Sequence, residues 1–247
     1  MTPEPYSADP GLGAKLRRRY ARLVHRRPAR LGLGRPTVSF TFDDAPASAA
    51  TAAAILERYE ARGTYYLCAG LFDETGHMGR YINAAEAADL AARGHEIGCH
   101  SFGHVDAHRA EGDALLDDSG RNVTALKALG GSARHFAFPY GEVSPAAKAR
   151  LADRYGSLRG VHAGLVREGA DLNQLPAVGI EGDDGEAVAR RWIDRAVETG
   201  TWLILFTHDI SDKPSPWGCT PEALDRLAAH ARDAGCDLKT VGQVLDR

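Results

Sequence analysis

Four short stretches of this chain hold residue types that do chemistry. TVSFTFDDAP (Thr37 to Pro46) closes a β-branched and aromatic run with two adjacent carboxylates, Asp43 and Asp44. HEIGCHSFGH places His100 and His104 four residues apart after a second such run. RHFAFPYG ends in Pro139, Tyr140 and Gly141, and WLILFTHDI ends in His208 and Asp209. Imidazole is the commonest metal-binding side chain. Two nearby histidines and one carboxylate from another strand end make a three-ligand site that keeps a position open for water, as catalytic zinc requires. In the third stretch, Pro139 removes a backbone donor and Gly141 lets the chain approach a ligand closely. The Tyr140 N–H is thereby a candidate oxyanion donor. His208 is a candidate general acid or base near neutral pH.

Each stretch also has a plain reading: a helix cap at Asp44 ahead of Pro46, hydrogen-bonded turn histidines, an ordinary βα turn. Convergence favours chemistry, because all four lie at the carboxyl ends of expected strands. The pattern predicts strands at Val38–Phe42, Thr64–Cys68, Glu96–Cys99, His135–Phe138, Ser157–Val161, Leu175–Ile180, Thr201–Phe206 and Asp237–Lys239. Between them it predicts helices at Ala47–Arg62, Ala84–Arg93, Asp113–Leu129, Pro145–Asp153, Glu186–Thr199 and Pro221–Ala234, with a long loop from Gly70 to Asn83. Alternation of this kind implies right-handed βαβ units and a parallel sheet, either barrel or open. In such sheets the carboxyl ends form one mouth. His95 then falls at the opposite end, as a structural residue, while His108 lies near enough to be a substitute ligand.

At 247 residues, the length suits one large α/β domain, read as residues 37–247 behind an N-terminal basic helix and linker, residues 1–36. The helix is expected over Gly13–Arg27, with Leu16, Tyr20, Leu23 and Val24 on one stripe. A net charge of −3 gives no reason to expect nucleic acid, but Lys15–Arg30 is densely basic, a candidate contact for an anionic surface. The four cysteines form no C-x-x-C pair and read as reduced thiols. No apolar segment follows a basic leader and none reaches membrane length, so the expectation is a cytoplasmic protein without a transmembrane segment.

From Val38 to Val241 the chain resembles the polysaccharide deacetylase family, the NodB-homology carbohydrate esterases. TFDDAP, HSFGH, FAFPYG and LFTHD correspond to its motifs. The resemblance implies a distorted (β/α) barrel with fewer than eight regular units and parallel strands. It implies one divalent metal, zinc first and cobalt, nickel or manganese as alternatives, held by Asp44, His100 and His104. Asp43 is then the general base and His208 the general acid. The implied activity is metal-dependent removal of an N-acyl group, acetyl foremost, from an amino-sugar-containing saccharide. Phe138, Pro139, Tyr140 and Trp217 are candidate substrate contacts. The alternatives are the same hydrolysis on a non-sugar amide or formamide, and a non-catalytic metal-dependent glycan binder. Two departures stand out. Ala45 replaces the glycine that usually ends the first motif, and Ala137 stands where many members carry the arginine that holds the catalytic aspartate. The acid supporting His208 is open among Asp171, Glu181, Asp183, Asp184 and Asp209.

Overall fold

The computed structural model describes residues 11–110 and 113–246. The chain runs α1 (Leu12–Ala21), β1 (Thr37–Asp44), a 3-10 turn (Ala47–Ala50), α2 (Thr51–Glu57), β2 (Thr64–Leu67), a small hairpin of β3 (Thr75–Gly76) and β4 (Gly79–Arg80), and α3 (Ala84–Ala92). It continues with β5 (Glu96–Cys99), α4 (Ala114–Ala128), β6 (His135–Ala137), α5 (Pro145–Ala152), β7 (Ser157–Arg159), β8 (Val178–Gly179), α6 (Gly185–Thr199), β9 (Trp202–Thr207), α7 (Pro221–Asp233), β10 (Asp237–Leu238) and α8 (Val241–Leu245). Local chemistry sets the helix starts. Asn83 and Glu86 form a reciprocal capping box on α3, and Thr220 caps α7 with Pro221 in its first turn.

The main sheet has the order β7-β6-β5-β2-β1-β9-β8, with β10 beside β1, and every pairing is parallel. The sheet curls until its two edges share one segment. The amides of Leu158 and Gly160 donate to Leu172 and Leu175, and β8 continues from that segment to pair with β9. The architecture is a distorted (β/α) barrel, irregular where this segment stands in for a full strand.

Period-two alternation divides the strands between two layers. Val38, Phe40 and Phe42 of β1 and Leu203 and Leu205 of β9 pack in the core beneath the helices. The opposite faces look into the barrel, where the Trp202 indole donates to Ser39 Oγ at 2.9 Å. Trp202, Ile204 and Phe206 form a second core with Ala29, Leu31, Val241 and Val244. The stretch read as a linker thus contributes buried side chains, and its backbone bonds to residues 169–172.

Helix α1 differs from its expectation. It ends at Ala21 rather than Arg27, and its apolar stripe faces solvent, with Leu16, Tyr20 and Leu23 exposed. Periodicity gives a stripe but not the side it faces. Here Arg17 and Arg18 turn inward, to the buried Glu142. All four cysteines are buried free thiols. Among the described residues no helix is long and apolar enough to cross a membrane.

Candidate active site

The carboxyl ends of the strands surround a cavity of about 180 Å3, lined by Asp43, Asp44, His100, His104, Tyr140 and His208 among others. Adjacent strand residues ordinarily point to opposite faces. Asp44 escapes that rule because its backbone is left-handed (φ 59°), so both carboxylates reach the cavity. Ala45 follows at φ 52°, a conformation that explains the glycine usual in this motif. Ser101, His104 and Tyr140 are left-handed as well. Among the described residues, five of the nine non-glycine residues with positive φ therefore crowd this rim, where the fold holds them against their own preference.

Asp44 Oδ1 lies 3.3 Å from His100 Nε2 and 3.0 Å from His104 Nε2. Among the described residues these three side chains form the group whose donor atoms meet within 4.8 Å, and all are buried. The His100 Nδ1–H donates to the Ala137 carbonyl at 2.8 Å, which leaves the Nε2 lone pair facing the carboxylate. Asp44 Oδ1 has no hydrogen-bond partner. A lone pair aimed at an unpartnered carboxylate oxygen in a buried site calls for a cation between them, and the donor set fits a divalent metal. Burial opposes ionisation of Asp44, yet the His104 and His100 imidazoles beside it hold its carboxyl well below the usual range. The loop carrying the histidines is fastened from α4, where Asp118 accepts from the Phe102 and Gly103 amides at 2.6 and 3.1 Å. His108 stands outside this group. His95 is at the far end of β5, accepting from the Gly63 amide and meeting Glu57.

Asp43 is buried, and its Oδ2 takes a short hydrogen bond from the Arg159 guanidinium, while Oδ1 has no partner. Arg159 is fully buried between the Tyr66 and Phe206 rings, each 5.2 Å away. It sits in register with Ala137 on the neighbouring strand. The guanidinium absent from position 137 is thus supplied one strand over. Arg134, three residues before Ala137, instead meets Asp246. Arg159 was missed in the sequence. Its signal is a lone cation inside the short strand SLRGV.

Phe206 of β9 and His208, just past its end, both line the cavity. His208 Nδ1 is 3.2 Å from the Trp217 carbonyl and 3.4 Å from Glu181 Oε1. Burial works against the imidazolium, but Glu181, Asp44 and Asp43 outweigh it and push the pKa up to about 9. Glu181 is therefore the supporting acid. Asp209 instead binds Ser215 within its own loop, and Asp171 pairs with Lys148.

Tyr140 lies in the Pro139–Gly141 turn with its ring 4.3 Å from that of His104. Gly141 is required there: at φ 64°, a Cβ would come within 2.1 Å of Val161. Phe138 and Trp217 line the cavity, whereas Pro139 is buried outside its lining. The loop expected between Gly70 and Asn83 holds the β3–β4 hairpin. Its tip brings His77 and Met78 to the cavity, His77 edge-on to Trp217 at 4.9 Å.

A family profile described as polysaccharide deacetylase matches residues 31–156. No curated protein matches. Solved structures do. PdaA of Bacillus subtilis, a family 4 carbohydrate esterase, aligns at 15% identity and TM-score 0.61 over 96% of this chain and 91% of its own. A peptidoglycan N-acetylglucosamine deacetylase in complex with a hydroxamate aligns at 17% and 0.59, over 88% and 92%. A pseudoenzyme of the same esterase family from Bacillus anthracis aligns at 17% and 0.60, over 86% and 66%. At these identities the likeness establishes the fold.

Proposed function

This chain belongs to the polysaccharide deacetylase family, and on that basis we propose that it is a metal-dependent hydrolase removing an acetyl group from an N-acetylated amino sugar within a saccharide. The observation that carries the reading is a pair of titratable groups held for opposite tasks on one cavity. Asp43 is tied to a buried arginine, and His208 is raised by Glu181. A divalent ion held by Asp44, His100 and His104, zinc foremost, supplies Lewis acidity toward the amide oxygen and eases ionisation of water. Asp43 Oδ1, the unpartnered oxygen, takes the proton of the attacking water, with the Arg159 guanidinium orienting the carboxylate through Oδ2. The Tyr140 N–H donates to the developing oxyanion. With Nδ1 of His208 turned to Trp217 and Glu181, Nε2 is the nitrogen left to protonate the departing amine. Trp217 and Phe138 offer the sugar ring its apolar contacts.

The pseudoenzyme among the similar folds makes a non-catalytic glycan binder the second reading. Asp43 and His208, both at the cavity, argue for catalysis, since a binder needs only the metal ligands. The deciding experiment measures acetate release from N-acetylglucosamine oligomers by zinc-loaded protein and by its Asp43→Asn variant. Release by the wild type alone supports the enzyme. Oligomer binding without release supports the binder, and hydrolysis of simple amides alone moves the substrate away from sugars.

A further inference from the structure

Helix α1 takes no part in the chemistry above, yet its outer face is unlike the rest of the surface. Among the described residues five large hydrophobic side chains are exposed, and four belong to this helix and its last turn: Leu12, Leu16, Tyr20 and Leu23, at 77, 61, 58 and 72%. The spacing of four places Leu12, Leu16 and Tyr20 within about 80° of one another on a helix advancing 100° per residue, and Leu23 follows in the turn after it. The fifth, Val161, lines the catalytic cavity.

Beside this stripe run Lys15, Arg19 and Arg22. All three are exposed, and none joins an ion pair among the described residues. The stretch from Gly11 to Arg30 holds eight lysines and arginines and no acid. The inner face is fastened to the barrel: Ala21 is buried, its carbonyl accepts from Lys148 Nζ at 2.8 Å, and Arg17 and Arg18 hold Glu142. The helix is thus fixed in place with an apolar stripe and a cationic flank turned outward. Arg18 and Arg22 also border a pocket that shares Tyr140, Gly141 and Val161 with the catalytic cavity.

We propose that the outer face of α1 seats the protein on an anionic phospholipid bilayer. The leucine–tyrosine stripe enters the interface, Lys15, Arg19 and Arg22 meet the phosphate headgroups, and the catalytic mouth opens beside the membrane. An apolar stripe with a basic flank is the composition that lies in such an interface. Charge selects this occupant over a second copy, whose Lys15, Arg19 and Arg22 would face the same three cations. The ten residues of α1 lie on the bilayer and do not cross it.

The test is co-sedimentation of the full chain with vesicles of phosphatidylcholine alone and with about a third phosphatidylglycerol. It reads no turnover, so its result is independent of the proposed activity. The expected result is partition onto the anionic vesicles only, with a blue-shifted emission from a Tyr20→Trp variant. Leu16→Ser/Leu23→Ser should weaken binding on the order of tenfold or more, and Lys15→Gln/Arg19→Gln by about fivefold per charge. Both variants alter exposed positions and should keep the wild-type melting temperature. Failure to sediment with either vesicle overturns the proposal, as does equal binding to both. It is also overturned by a solution dimer that Leu16→Ser/Leu23→Ser dissociates without vesicle binding, or by binding that emerges only once residues 1–10 are removed.

Discussion

Replacing Glu181 with glutamine removes one charge from beside His208 and leaves the shape of the site in place. The glutamine oxygen can still accept from the imidazole, whose Nδ1 lies 3.4 Å from Glu181 and 3.2 Å from the Trp217 carbonyl. His208 is pushed up to about 9 against burial by Glu181, Asp44 and Asp43. Metal ligation offsets the Asp44 charge, which leaves Glu181 the principal support. An opposite charge at this distance is worth about one to two pKa units. In the metal-free protein at pH 8 the protonated fraction of His208 then falls from roughly nine-tenths to between about a half and a tenth, while at pH 6 it hardly changes. The profile of kcat/KM against pH should keep its acidic limb and bring its alkaline limb down by one to two units, tracked by the His208 ring signals in NMR. The linkage has a definite sign. A pKa raised in the folded state stabilises fully below the unfolded value near 6.5 and loses that contribution as pH rises through about 9. Metal-free wild type should therefore lose melting temperature between pH 7 and 9, and Glu181→Gln should lose less. An alkaline limb that stays in place would refute the reasoning. So would a uniform loss of rate at every pH, which would make Glu181 a packing residue.

His104→Ala should abolish stoichiometric zinc by elemental analysis, along with the rise in melting temperature that zinc confers on the wild type; one full equivalent of bound metal would remove His104 from the ligand set. Asp43→Asn and His208→Ala should each retain metal and lose on the order of 100-fold or more in turnover, and loss of metal in either would make that residue a ligand. Arg159→Met should lower kcat by about 10- to 100-fold with metal retained, because a carboxylate buried without its cation loses its charge or its orientation. Adding Ala137→Arg to that variant should restore part of the rate; no recovery, with the fold intact by circular dichroism, would mean that the two strand positions do not reach the same carboxylate.

The features legible in the sequence are those written locally. Asp43, Asp44, His100, His104, Tyr140 and His208 lie at or just past the ends of four strands, and all six line the shared mouth. What escaped is written across the sheet. Arg159 meets Asp43 over 116 residues of chain, and no periodicity links them. Glu181 follows a strand only two residues long, inside a segment without regular pattern, so its choice among five acids had to wait for the register of β8 on β9. The β3–β4 hairpin was invisible because strands of two residues carry no alternation to count. For α1 the stripe was readable, but its direction depended on Glu142, an acid from another part of the chain that draws Arg17 and Arg18 inward.

The placement of Arg159 bears on how such chains are sorted. A column of an alignment records which residue follows a motif; it does not record which charge reaches a carboxylate. At position 137 this chain scores as having lost its arginine, although a guanidinium still holds Asp43 from the strand in register beside it. A ring of parallel strands offers neighbouring addresses for the same group, and here Arg159 reaches Asp43 from the strand beside position 137. Sorting members by motif completeness does not register such a cation, whereas a search for buried cations within reach of the Asp43 carboxylate would.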